Sequence, residues 1–195
     1  FVFSSCRDVT IAGQKCRATR LIFAGEPGWE ISVSARQAPI VFDALAAGAR
    51  PMGHFALEGC RLEKGFRHWG HDIGPDITPL EAGLEFAVDW RKDFTGKQAL
   101  LRQKADGPAR RLCLCRVDGG PLMLHDEPIR EGERVVGLTT SGGRGPRTGL
   151  TLALGLVEVA PGEPPGETSA RSFTVEVAGR SFPAKALHRP PFDPT

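Results

Sequence analysis

At 195 residues, with 41% hydrophobic and 25% charged side chains, the chain has globular composition and enough length to bury roughly 70% of the surface its unfolded form exposes. Its 25 basic and 23 acidic residues leave a formal charge of +2, and the portions before and after Gly107 each carry a net +1. That balance excludes a disordered chain, a basic or acidic tail and a general nucleic-acid-binding surface.

Arg17 to Phe23 (RATRLIF) and Trp29 to Val33 (WEISV) read as strands, with AGEPG between them supplying the Gly and Pro of a tight connection. Arg36 to Ala49 carries a helical apolar stripe, and Gly48 with Pro51 ends it. A second helix is expected from about Gly53 to Lys64, capped by Gly65. The Gly- and Pro-rich run FRHWGHDIGPDITPLEAGLEFAV then predicts a structured loop with a short strand near Leu84 to Val88. Thr95 to Gln103 predicts a short helix with Thr95 or Asp93 as N-cap, and ADGPA, at Asp106 to Ala109, a linker at which limited proteolysis is expected.

Beyond the linker the pattern changes to short strands: Arg111 to Val117, Pro128 to Arg130, Arg134 to Thr140, Leu152 to Val159, Ser172 to Val177 and Ser181 to Leu187. Hairpin signals, EGER at Glu131 to Arg134 and AGR at Ala178 to Arg180, join neighbours. Serial short strands with little helix predict a small antiparallel barrel or sandwich. The fold class is therefore α+β, with domains at residues 1–107 and 108–195.

Most chemical motifs weaken on inspection. SGGRGPRTG (Ser141 to Gly149) lacks the Lys-Ser/Thr ending of a phosphate loop and precedes a strand, so a barrel loop is the better reading. His68 and His71, three apart with Asp72 following, lack a third ligand and a regular frame, so no metal is assigned. Cys113 and Cys115 alternate along a strand and read as core. With five cysteines in all and no CxxC pair, a disulfide framework is not expected, and the compartment reads as reducing. Neither a signal peptide nor a membrane span is visible, and the missing initiator Met suggests a fragment or a processed chain. Charged and aromatic residues crowd between Arg61 and Phe86, where an ion-paired cap over a helix end and a binding site for a planar ligand carry about equal weight.

The order of the segments says more. RATRLIFAGEPGWEISV, DALAAGA, RLEKGFRHWGHDIGPDITPLEAGLEF, DFTGKQAL, RRLCLCRV, VVGLTTSGG and LALGLV follow one another along nearly the whole chain. In this order they resemble the tetrahydrofolate-binding region shared by aminomethyltransferase, the glycine-cleavage T-protein, and the C-terminal parts of sarcosine and dimethylglycine dehydrogenases. RHWGHDI, PLEAGL and the closing PPFDP look most like the dehydrogenase branch.

The resemblance implies part of a ferredoxin-like folate-binding unit followed by an antiparallel β-barrel. It implies that Glu30, the Glu of GWE, accepts hydrogen bonds from the pterin of tetrahydrofolate, with Ile31 and Ser32 lining the same site. Two family tyrosines fall on Phe23 and Phe86, which keep the aromatic face and lose the hydroxyl. A folate-binding Arg of T-proteins falls on Leu57, and Arg61, one helical turn on, is its candidate substitute. In the family's dehydrogenases a flavin, FAD, oxidises an N-methyl amine and folate captures the one-carbon unit. The flavin fingerprint and an early folate-domain Asp are not in this sequence, so this chain is expected to be colourless and inactive alone. Its partners would be folate and an N-terminal flavin and folate half-domain, in the same polypeptide or a separate subunit. The compartment would be the bacterial cytoplasm or a mitochondrial matrix. The alternatives are a fragment of an aminomethyltransferase and a non-catalytic folate-binding or assembly module.

Overall fold

The computed structural model describes residues Phe1–Phe192; the last two residues of the closing PPFDP, Asp193 and Pro194, lie outside them. The chain forms two compact units, Phe1–Leu57 and Glu58–Thr195.

The first unit is built on a three-stranded antiparallel sheet in the order β1-β2-β3, with β1 at Cys6–Ile11, β2 at Gln14–Thr19 and β3 at Glu30–Ser32. Helix α1, Ala38–Ala46, follows with a proline in its first turn. The strand expected at Arg17 to Phe23 is displaced toward the N-terminus, because an unforeseen hairpin precedes it. Ile11 pairs with Gln14 around Ala12 and Gly13, both at positive φ (47° and 75°), the signature of a type I′ turn. Ala in a left-handed conformation is a weak turn signal, which hid the hairpin. β2 stops at Thr19, after which Arg20 donates its Nη1 hydrogen to the Gly28 carbonyl at 2.8 Å and lies 4.4 Å from the Trp29 ring centroid.

Helix α2 spans His54–Glu63, and its C-terminus closes as the sequence implied. Gly65 takes φ +68°, its N–H bonds to the Leu62 carbonyl (2.9 Å) and that of Phe66 to the Arg61 carbonyl (3.0 Å), a Schellman motif. The strand expected at Leu84 to Val88 is instead a 3₁₀ turn, Glu85–Ala87, in which Ala87 and Val88 donate to the carbonyls of Leu84 and Glu85. Helix α3, Lys97–Asp106, starts from a left-handed Gly96 rather than from Thr95 or Asp93.

Six strands then close a barrel in the order β4-β7-β6-β5-β8-β9: β4 Arg110–Val117, β5 Pro128–Glu131, β6 Arg134–Arg144, β7 Thr151–Glu158, β8 Ser172–Val177 and β9 Arg180–Ala186. All pairings are antiparallel, and β4 with β9 completes the circle. The α+β class and the barrel thus stand as expected. Both hairpin signals form turns, with Gly132 (φ +59°) between Glu131 and Arg134, and Ala178 with Gly179 between Val177 and Arg180. A short helix α4, Pro165–Ala170, escaped the sequence reading; Pro165 sits at its first turn, where the missing N–H costs nothing.

Alternation on β4 and β7 explains why LALGLV reads as a continuous apolar run. Cys113, Cys115, Ala153 and Val157 point into the barrel core with Ile129, Val136, Phe173 and Val175. Leu112, Leu152 and Leu154 point outward into a second cluster completed by Leu62 of α2. Strands buried on both faces lose the polar half of their period. The same burial keeps the Cys113 thiol protonated, its pKa pushed up to about 11 by desolvation. All five cysteines are free.

Candidate functional site

In the first unit β3 carries Glu30, Ile31 and Ser32. With period two, Glu30 and Ser32 share one face and Ile31 takes the other. Register places Glu30 opposite Thr19, Ser32 opposite Arg17, and Ile31 opposite the buried Ala18. The Glu30 face is therefore polar and open, and it includes the Arg17–Asp8 ion pair at 3.2 Å. Phe23, on the connection between β2 and β3, is half-buried. A carboxylate standing on a solvated strand face is available to accept a pair of N–H donors from a planar heterocycle.

Arg61 is a correction. Its side chain is fully buried, with Nε donating to Glu58 Oε2 at 2.8 Å, and Nη1 to Asp72 Oδ2 at 2.6 Å and to the Phe66 carbonyl at 3.0 Å. A guanidinium so enclosed faces no ligand, so its geometry does not support the substitute role that the resemblance implied for Arg61. Asp72, also fully buried, collects the backbone N–H of His68 at 2.8 Å and the hydroxyls of Thr140 and Ser141. Adjacent strand residues normally point to opposite faces. Here a register shift between Thr139 and Ser141 lets both hydroxyls reach one carboxylate.

Glu63 caps the barrel loop that follows, accepting from the backbone N–H groups of Arg147 (3.3 Å) and Thr148 (3.1 Å). Of the two weights given to the Arg61–Phe86 segment, the ion-paired cap over a helix end describes its first half. The run SGGR is strand rather than loop, and its glycines serve close packing. A Cβ on Gly142 would lie 2.3 Å from Met123 Cβ, and one on Gly145, just past the strand, would lie 2.5 Å from Glu63 Oε2.

Phe86, in the 3₁₀ turn of the second unit, is 84% exposed. It borders a cavity of about 550 Å³ that no sequence motif announced. Arg67, Lys104, Arg111, His188 and Arg189 line this cavity with leucines of the outer barrel face. These residues come from five separate segments, so only a correct tertiary arrangement brings them together.

Two family models match the chain: the GCVT N-terminal domain over residues 1–92 and the glycine cleavage T-protein C-terminal barrel domain over residues 110–193. The aminomethyltransferase of Listeria welshimeri is 36% identical over 191 residues, covering 96% of this chain and 51% of the relative. The 4-methylaminobutanoate oxidase (formaldehyde-forming) of Paenarthrobacter nicotinovorans is 39% identical over 96% of the chain and 23% of its own length. Mouse mitochondrial sarcosine dehydrogenase is 36% identical over 100% of the chain and 22% of itself. Among solved structures, the glycine cleavage system aminomethyltransferase T of Bartonella henselae superposes with a TM-score of 0.76 at 26% identity, over 90% of this chain and 49% of that one. The chain thus spans about half the length of these aminomethyltransferases and under a quarter of the oxidase and the dehydrogenase.

Proposed function

The chain belongs to the aminomethyltransferase family of the glycine-cleavage T-protein, and from that premise we propose that it is the tetrahydrofolate-binding part of an enzyme drawing a one-carbon unit from an N-methyl amine. The carrying observation is Glu30, held on the open face of β3 with Ser32 beside it. A pterin presents an N–H edge whose donors a single carboxylate satisfies together, and the charged acceptor is worth more than a neutral one. Ile31 and the ring of Phe23 complete the proposed folate set within the first unit.

The dehydrogenase branch is favoured over the transferase branch by Leu57, which stands where T-proteins place an arginine. That branch needs a two-electron acceptor, a flavin, which would be held by a flavin-binding region of the same enzyme or of a partner subunit. A GxGxxG after a first strand elsewhere in the same enzyme would support the oxidase reading, and a transferase-type sequence in its place would support the alternative. Among the described residues no helix is long and apolar enough to cross a membrane. Cytoplasmic or mitochondrial-matrix residence is proposed with the same reading.

The test is calorimetric titration of the complete polypeptide with tetrahydrofolate. Glu30→Ala is expected to weaken binding by about 1.5–3 kcal/mol, roughly tenfold to more than a hundredfold. Unchanged affinity in a folded variant removes Glu30 from the site.

A further inference from the structure

The cavity of the second unit combines an apolar floor with an excess of positive charge. Its volume of about 550 Å³ falls in the range of small-molecule sites. Leu112, Leu114, Leu154 and Leu187 supply the floor, and Arg67, Lys104, Arg111 and Arg189 the charge. Glu85, the one carboxylate among the described lining residues, is paired with Lys104. Three guanidinium groups thus remain in a chain whose overall charge is only +2.

Two of the three guanidiniums hydrogen-bond to neutral acceptors. Arg67 donates to the carbonyls of Gly65 (2.9 Å) and Ala82 (3.2 Å), and Arg111 to the Glu163 carbonyl (2.7 Å) and to the Thr168 hydroxyl, which in turn donates to the Glu163 carboxylate at 2.6 Å. A guanidinium has more N–H donors than these contacts use, arranged as a fork that fits a carboxylate. Burial pushes the Arg67 pKa down, with the nearby Asp72 opposing the shift, so an anion placed against it offsets a desolvation cost already present. Arg189 is exposed at the same cavity.

We propose that this cavity binds a carboxylate carried on an extended apolar body, with the acid against Arg67, Arg111 and Arg189 and the body on the leucine floor beside Phe86. Bare phosphate would leave the floor unused, and an uncharged apolar ligand would leave the spare guanidinium N–H donors and the exposed Arg189 without an acceptor. The benzoyl-glutamate end of a folate and a free aliphatic acid share this chemistry. The site lies wholly within the second unit, so it stands or falls independently of Glu30.

The experiment uses the 195-residue chain with 8-anilinonaphthalene-1-sulfonate as fluorescent reporter and p-aminobenzoylglutamate, decanoate and decanol as competitors. At least one acid is expected to displace the reporter about tenfold more effectively than decanol, and to do so less effectively as salt rises. The better of the two acids identifies the source. Arg67→Gln and Arg189→Gln should each weaken the acid about fivefold or more. Arg134→Gln, whose partner is Glu158 outside this lining, should not. Should Arg67→Gln fail to fold, Arg189→Gln and the acid-to-alcohol ratio decide. Should the reporter not bind, equilibrium dialysis of both acids replaces it. No binding of either acid below about 1 mM, equal competition by decanol, or wild-type affinity in the folded cavity variants overturns the proposal.

Discussion

Arg61 and Asp72 show what a residue's neighbours decide and its identity does not. As an arginine one turn beyond Leu57, Arg61 is a natural candidate for an anionic ligand, yet its partners are Glu58, Asp72 and the Phe66 carbonyl, all inside the fold. The decisive contacts on Asp72 come from Thr140 and Ser141, 68 and 69 residues away, and no local pattern foretells them. A buried ion pair costs desolvation on both sides, and removing one member strands the other. Arg61→Met should therefore destabilise the chain by about 3–5 kcal/mol, read as a shifted urea midpoint with an unchanged slope. A change below about 1 kcal/mol would place this pair with surface bridges. The strand position of Glu30 is legible for the opposite reason, since it rests on a few contiguous residues and a strand's alternation; its part in folate binding is a proposal.

Among the elements, legibility followed the strength of the local signal. The barrel strands and both of its marked hairpins were visible, because buried alternation and Gly-containing turns are written within a few residues. The Ala12–Gly13 hairpin and α4 were not, one turning on a left-handed Ala and the other only six residues long. The 3₁₀ turn at Glu85–Ala87 shared its apolar content with a strand, and its hydrogen bonds chose otherwise. Gly59 exposes a conflict between levels. Helix propensity favours Ala over Gly in α2 by about 1 kcal/mol, but a Cβ there would lie 2.2 Å from the Arg144 carbonyl oxygen of β6. Overpacking of that kind costs about 1–3 kcal/mol, so Gly59→Ala is expected to be net destabilising. Gly166→Ala in α4, with nothing within 4 Å of its added methyl, should be neutral or stabilising by up to about 1 kcal/mol. Chemical denaturation of the two variants distinguishes close approach from propensity, and a stabilised Gly59→Ala would refute the packing of α2 on β6.

For the molecule as a whole, two divisions of the chain compete. The change from helical periodicity to serial strands, and the gap between the two matched family models, both fall in residues 93–109, whereas compactness divides the chain after Leu57. The ADGPA segment is tied into its unit. Ala109 accepts a hydrogen bond from Val159 at 3.0 Å, and a Cβ on Gly107 would sit 2.6 Å from the Gly162 nitrogen. Residues 47–53 between α1 and α2 are exposed throughout, and α1 leaves Ile40, Phe42 and Leu45 each at least 46% exposed while burying Val41. With Cys16, Ala18 and Val41 as its buried apolar residues, the first unit has a small core for its length and a correspondingly small resistance to opening. Cleavage by a protease of broad specificity tracks such opening when reclosing is fast. Thermolysin is expected to cut first within residues 1–53 and to leave a long-lived fragment beginning near Glu58, read by mass spectrometry over a time course. Early cleavage at Asp106 to Ala109, before any loss of the first unit, would instead make the pattern boundary the mechanical one and detach the barrel from the segment that binds Arg61 to Asp72.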